Sequence, residues 1–461
     1  MSIGSDRPHA INWQALADAL RGPLLRPGDA DYENRRRVWN GVIDRHPAAI
    51  ACCADAEDVC TAASFATRVR LPITVRGGGH NVAGLAVRDD ALMLDLGDMR
   101  HVDVDPQARI ARIEGGALWQ DVDAATQPHG LATTGGFVST TGVGGYTLGG
   151  GVGWLMRRCG LAVDNLLEAE VVLADGRSLV ASEQRHADLF WGLRGGAGGL
   201  GVVTRFTSRL HPVGEVLAGV VFHPIEAAPW LLRTFRDVTP KAPDALTAML
   251  VVTSVPPLPF LPASAHGQRA IALAYCWSGA PEQGARTVAP LAGYGQPLGR
   301  HEGVVPYAVW QRTFDPGAPA GHCYYWTTSQ LDDLDDMLIE VLLRHAEAPP
   351  DPLCELHIHH LGGAVANAPS TATAFAHRDT PFFVNVIGHT AEAGRFPAVR
   401  DWTCSFRTAL APHARRGVQP NFAGETADID TRAHGVVAQA RLAELRARYD
   451  PLGLLAAWRG G

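Results

Sequence analysis

From Asp55 to Val69 the apolar positions Val59, Ala62, Ala63, Ala66 and Val69 recur at the spacing of one helix face, and Asp55 stands where an N-cap is expected. The period then shortens. Residues 71–75 read as a strand entering Arg76-Gly-Gly-Gly-His80, and 91–96 as a second, buried one. Residues 102–105 and 108–114 alternate in strand fashion, and 117–126 are helical and stop before Pro128. Residues 169–174 and 178–181 form a hairpin about Asp175-Gly176. A short helix at 188–193 and a β-branched strand at 202–210 complete a first unit of α+β character.

The pattern changes after His211-Pro212. Longer strands are expected at 216–222, 246–252, 271–276, 353–361 and 382–387, joined by proline-rich stretches such as 255–262. An amphipathic helix is expected at 331–344, and a last one at 434–449 is stopped by Asp450-Pro451. The chain thus divides into a first unit at 1–212, itself in two parts (about 36–105 and 106–212), and a second at 213–410. The second is an antiparallel sheet covered by helices, and a C-terminal segment, 411–461, follows. A length of 461 residues also calls for more than one core.

Composition narrows the class. The net charge of -7 argues against a nucleic-acid binder, and the basic runs Arg35-Arg36-Arg37 and Arg415-Arg416 are short enough to be solvated surface. No stretch approaches the ~20 apolar residues of a membrane helix. Residues 1–10 are polar, without the apolar core of a signal peptide. The eight cysteines are scattered and lack zinc-ligand spacing, which fits reduced thiols in a cytoplasm. Oligomeric state is not encoded in any pattern here, and a homodimer is compatible with all of them.

Of 50 glycines, nine fall between Gly135 and Gly153, mixed with Phe137, Val138, Val143, Tyr146 and Leu148. Such density without a serine-rich, polar character indicates backbone pressed against a ligand rather than a linker. Arg76-Gly77-Gly78-Gly79-His80-Asn81, following a strand, has the form of an anion-binding nest but lacks the Lys-Ser/Thr of a Walker loop. Gly196-Ala-Gly198-Gly-Leu-Gly201 spells G-x-G-x-x-G, yet it precedes a strand, whereas a Rossmann fingerprint follows one and opens a helix.

These segments occur in a fixed order: Arg76 to Asn81, Gly142-Val-Gly-Gly145, Gly149-Gly-Gly-Val-Gly153, Asp164-Asn165, Leu189-Phe-Trp-Gly-Leu-Arg194-Gly-Gly196 and Gly201-Val-Val-Thr204. Together they resemble the vanillyl-alcohol-oxidase superfamily of flavoproteins (the PCMH-type FAD-binding fold), and within it the berberine-bridge-enzyme-like branch. The likeness is dense from about residue 36 to 212. It returns at Gly362-Gly363-Ala364, Phe375 to Asp379, Asn421-Phe422 and Tyr449-Asp450-Pro451.

The resemblance implies an FAD-binding domain at 1–212, a substrate domain at 213–410, and a C-terminal segment that returns to the FAD domain. His80 takes the place of the histidine that bonds covalently to the flavin 8α-methyl, and a neutral imidazole is a competent nucleophile for that bond. Arg76, Gly77, Gly78 and Gly79 would form the pyrophosphate loop, completed by Asn81 and Gly84. Gly142, Val143, Gly144, Gly145, Gly149, Gly150 and Gly151 would lie against the isoalloxazine and ribityl chain. Gly201, Val202 and Val203 would lie toward the adenine or ribose, with Asn421 returning to the flavin. Many relatives add a second bond from a cysteine where this chain has Val138, so a single bond through His80 is expected. Thr141 falls near the position that governs oxygen access.

Oxidation by flavin needs a base near the departing proton. Relatives place a tyrosine where this chain has Gln419, which cannot serve. The strand-like run containing Glu355, His357 and His359 puts all three on one face, turned either to the flavin or to solvent at a sheet edge. Tyr146, Tyr324 and Tyr325 are further candidates. The expected function is an oxidase of a small alcohol, sugar, amine or secondary metabolite that passes electrons to O2. The alternatives are a dehydrogenase with another acceptor and a flavin-binding protein without turnover.

Overall fold

Three sheets organise the chain in a computed structural model that describes residues 11–415, 417–424 and 429–455; Arg416 and residues 1–10 lie outside these. The class is α+β, as expected. In the first sheet Ala49–Cys52, Leu92–Asp95 and Ile73–Arg76 run parallel, with Leu24–Leu25 antiparallel at one edge. The helix Ala56–Val69 covers it. Asp55 caps that helix by accepting the Glu57 and Asp58 N–H groups, and Val59, Ala62, Ala63 and Ala66 are fully buried beneath it. The strand Ile73–Arg76 is thereby fixed against the core, and its C-terminal end delivers residues 77–80.

The second sheet is antiparallel, in the order Val102–Asp105, Ile110–Glu114, Val202–Arg209, Leu166–Val172, Ser178–Ser182. Its last two strands are the expected hairpin. The third sheet has seven antiparallel strands, in the order Gly299–Pro306, Glu215–Pro224, Arg269–Trp277, Leu246–Ser254, Glu355–His360, Phe382–Thr390, Cys323–Leu331. Side chains alternate across it. Leu246, Leu250, Val252, Leu273, Leu356, Ile358 and Val384 pack under the helices Ala228–Val238, Pro281–Ala292, Asp336–Ala346 and Phe396–Leu410. Met249, Val251, Ala272 and Ala274 face the other way, toward Trp154, Leu155 and Trp310.

The structure departs from the sequence reading in places. The strands Gly299–Pro306 and Cys323–Leu331 and the helices Ala228–Val238, Pro281–Ala292 and Phe396–Leu410 were not anticipated, and the helix expected at 331–344 begins only at Asp336, where Asp335 caps it. Arg415 and residues 417–424 lie beside the edge strand Cys323–Leu331: Arg415 N–H donates to the Gln330 carbonyl and Gly424 N–H to that of Trp326. The helix Ile429–Tyr449 then packs on Ala187–Leu193, where Tyr449 donates its hydroxyl to Asp188. Among the described residues no helix is long and apolar enough to cross a membrane.

Candidate functional site: a glycine-walled cavity under an aromatic sheet face

The loop that leaves Ile73–Arg76 meets the loop that opens the helix Val143–Leu148. A Cβ on Gly78 would lie 2.5 Å from the Gly142 nitrogen, and one on Gly142 would collide with Gly78 in return. Only glycine permits that approach. The two loops form one end of a cavity of about 260 Å³. Of the residues singled out in the sequence, Gly77, Gly78, Gly79, His80, Asn81, Val138, Thr141, Gly142, Gly144, Gly145, Tyr146, Gly201, Val202, Val203 and Asn421 line it.

The others stand behind the wall. Arg76 is ion-paired at 3.1 Å with the buried Asp95 and donates to the Arg35 carbonyl. Gly84 takes a positive φ of 69° against Ile43, and Val143 is buried in the core. Gly149 is closed over by the Asn421 amide and Gly150 by the Phe375 ring. Gly151 donates its N–H to Asn421 Oδ1 at 2.9 Å. Asn421 Nδ2 in turn donates to the Tyr146 carbonyl at 3.0 Å.

His80 sits at the junction of the cradle and the third sheet. Its Nε2 is shielded from solvent and has no hydrogen-bond partner among the described residues. Desolvation pushes its pKa down to about 4, against a hydrogen bond to its own backbone, so the ring is neutral at pH 7. The Trp39 indole stacks on it, with ring centroids 4.2 Å apart.

Glu355, His357 and His359 share one face of a strand that lies between Leu246–Ser254 and Phe382–Thr390, so the sheet-edge alternative falls away. His357 Nε2 lies 2.8 Å from Glu355 Oε2, while Thr253 donates its hydroxyl to Glu355 Oε1 at 2.8 Å. Burial pushes the Glu355 carboxyl upward, but these hydrogen bonds and the charge of His357 outweigh it and hold the group below its ordinary range. His359 stacks on Phe383 at 4.3 Å and approaches Phe137 and Phe422, both of which line the cavity. Burial keeps His359 neutral, and its Nε2 has no partner.

The remaining candidates scatter. Tyr146 presents its ring to the cavity, and burial raises its phenol well above the ordinary range. Tyr324 stacks between Trp39 and His389 and donates its hydroxyl to the Pro319 carbonyl. Tyr325, its neighbour on the strand, points to the opposite face, where Cys404 and Arg400 meet it. Gln419 is buried, its N–H bonded to Thr328 Oγ1 and its Nε2 without a partner. Cys159 is absent from the cavity wall, and burial raises its thiol to about 11.

Phe137 and Phe422, from the glycine segment and the Asn421-Phe422 match, do line the cavity, whereas sequence reasoning missed Trp39, Trp326, Gly198 and Gly199. The last two carried a signal: the G-x-G-x-x-G run fails as a Rossmann fingerprint, yet Gly198, Gly199 and Gly201 line this cavity from the start of Val202–Arg209.

The cradle and the unpartnered, neutral His80 suit a flat dinucleotide cofactor with an electrophilic edge. Comparison with known proteins agrees. Residues 47–182 match the FAD binding domain family. An FAD-linked oxidoreductase of Dictyostelium discoideum is 28% identical over 95% of this chain and 94% of its own length. The chain is thus similar to FAD-linked oxidoreductases over nearly its whole length. It is also 35% identical to (R)-6-hydroxynicotine oxidase of Paenarthrobacter nicotinovorans over 44% of each chain. The solved structure of Physcomitrella patens BBE-like 1 covers 97% of this chain and 98% of its own at a TM-score of 0.87 and 19% identity. The fold is thus the PCMH-type, berberine-bridge-enzyme-like one.

Proposed function

We propose that this FAD-linked oxidoreductase is an oxidase that carries its flavin on a single covalent bond to His80 and acts on a small alcohol, sugar, amine or secondary metabolite. The observation that carries the reading is His80 itself: neutral, unpartnered at Nε2, and set at the end of a glycine cradle. FAD held there would supply a two-electron acceptor for the substrate's hydride, with O2, reduced to hydrogen peroxide, as the final acceptor. Gly77 to Gly79 would hold the pyrophosphate through backbone N–H groups, helped by the absence of side chains between them. Gly142, Gly144 and Gly145 would let backbone lie on the flavin, while Gly201, Val202 and Val203 would meet its adenosine half. Val138 on the wall has no nucleophile, which leaves His80 as sole attachment.

On the cavity wall Trp326, Phe137 and Phe422 would offer flat apolar surface to a small substrate, and the Glu355–His357 pair, which stands off the wall behind Phe137 and His359, would take the departing proton. The carboxylate orients the imidazole, the division of labour seen wherever a carboxylate backs a histidine base. The hydroxynicotine relative is an oxidase, which supports oxygen as acceptor.

The test is acid precipitation of the purified protein beside His80→Ala, with peroxide measured against a panel of alcohols, sugars and amines. Yellow wild-type pellets, a colourless mutant pellet and peroxide release are expected. A colourless wild-type pellet removes the covalent bond. Turnover with an artificial acceptor but no peroxide makes the protein a dehydrogenase. A flavin that no compound bleaches makes it a binding protein, the outcome Gln419 would favour by standing where relatives carry a tyrosine.

A further inference from the structure

Trp39 is held on every side. Its Nε1–H donates to the Ala318 carbonyl at 3.0 Å, its backbone N–H to the Gly79 carbonyl at 3.0 Å, and its carbonyl accepts the Gly321 N–H at 2.9 Å. One face of the indole stacks on His80, 4.2 Å away and 16° from parallel; the other lies on Tyr324 at 3.8 Å and 19°. Tyr324 is backed in turn by His389 at 4.3 Å. The indole is thus a plate clamped between the cradle loop and the third sheet, and only 6% of its surface is exposed.

His80 has less to fix it. The torsion that turns an imidazole about its own axis is broad and nearly two-fold; the ring keeps a hydrogen bond to its own backbone, while Nε2 has no partner among the described residues to hold the far end of the ring. A ring nitrogen attacks through a lone pair that lies in the ring plane, so the plane of the ring is the line of attack. Small errors of aim cost large factors in rate.

We infer that Trp39 is the positioning residue for cofactor attachment: by stacking on His80 it fixes the imidazole plane along which the bond to the cofactor forms. The inference rests on covalent attachment at His80. In that step a carbon–nitrogen bond forms between the 8α carbon and the imidazole, and one C–H and one N–H bond are lost. The two electrons and two protons released leave on dioxygen as hydrogen peroxide. Trp39 takes no part in the bonding. Within the cradle loop its indole stacks on the nucleophile, and its bond to Gly79 is made by the backbone N–H, which a side-chain substitution keeps, so its removal slows attachment while leaving the cradle that binds the dinucleotide intact.

The experiment compares wild type, Trp39→Phe and Trp39→Leu, each expressed as the full chain. Two quantities are read: total flavin per protein, and the fraction of it retained in the acid pellet. Trp39→Leu is expected to keep total flavin within about two-fold of wild type while the retained fraction, or the rate at which it grows on incubation with added FAD, falls about ten-fold or more. Trp39→Phe, which preserves a flat stacking partner, is expected to recover most of that fraction. An unchanged fraction in Trp39→Leu overturns the inference. So does a loss of total flavin with the fraction constant, because that is the behaviour of a merely structural residue. Should Trp39→Leu fail to fold, Tyr324→Leu removes the backing of the plate, and the same split between total and retained flavin is expected in weaker form; its absence there overturns the inference. A colourless wild-type pellet would instead overturn the covalent reading beneath it, and the two failures are told apart by which protein shows them.

Discussion

Asn421 Oδ1 accepts the N–H of Gly151 at 2.9 Å, joining two points 270 residues apart in the chain. The other end of the same amide binds the Tyr146 carbonyl, so one side chain satisfies two groups of the glycine segment. Asn421→Ala leaves both without that partner, at a cost of about 1–3 kcal/mol. A lowered melting temperature and faster loss of non-covalent flavin are expected in the His80→Ala background. An unchanged melting temperature would show that water replaces the amide without penalty.

Two glycine substitutions separate folding from cofactor binding. Gly78→Ala drives a methyl into the Gly142 backbone, which cannot retreat, so little folded protein is expected. Gly145 lies in the helix Val143–Leu148, lines the cavity, and has no protein atom within 4 Å of a Cβ placed on it. Gly145→Ala should leave the melting temperature of flavin-free protein unchanged or raise it, since alanine is favoured in helices by up to about 1 kcal/mol. Flavin content should nonetheless fall. Full flavin occupancy in Gly145→Ala would show that the cofactor does not lie against this wall.

Asp123 predicts a pH dependence of stability. Burial raises its pKa to about 7, against a hydrogen bond with Gln311 and the charge of Arg312, with Asp315 adding to the rise. Its Oδ2 has no partner. Between the carboxyl's unfolded value near 4 and about 7, the native state therefore holds a proton that the unfolded chain has released. Stability falls as pH rises through that window, by up to the order of 4 kcal/mol. Asp123→Asn lacks the titration. Its melting temperature is expected to gain on wild type between pH 4 and pH 8, and parallel curves would refute the assignment.

The Glu355–His357 pair predicts a graded loss of activity. His357→Ala should lower kcat/KM by about 10²- to 10⁴-fold, the usual worth of a positioned base. Glu355→Gln keeps the shape of the site but removes the charge opposite His357, so a smaller loss of kcat/KM is expected, with bound flavin unchanged. Equal activity in His357→Ala and wild type would move the proton acceptor elsewhere on the sheet face.

The elements legible in the sequence were those whose burial is written as period. Asp55 and the helix after it, the hairpin about Asp175-Gly176 and the core strands of the third sheet all announce themselves. The strand Gly299–Pro306 does not, because it is an edge strand with no fully buried position, and its Gly-Arg-His-Glu-Gly start reads as loop. The helices Ala228–Val238, Pro281–Ala292 and Phe396–Leu410 each carry proline in the first turn, and Pro281–Ala292 has Pro290 near its end as well, which blurs a helical pattern. In the site, period two placed Glu355, His357 and His359 together. It also required Tyr324 and Tyr325 to part, without saying which would face His80. Trp39 had no local signal at all, since its contact with His80 depends on how two distant loops are brought together.

Residues 417–424, laid along Cys323–Leu331, give the cavity a wall drawn from far along the chain. Pro420, Asn421 and Phe422 close over a cradle whose other sides come from residues 73–206, Trp326 and Leu455. It follows that on the ribosome the glycine loops emerge long before the residues that shut them, and the cavity stays open until the third sheet and the segment beyond it have been made.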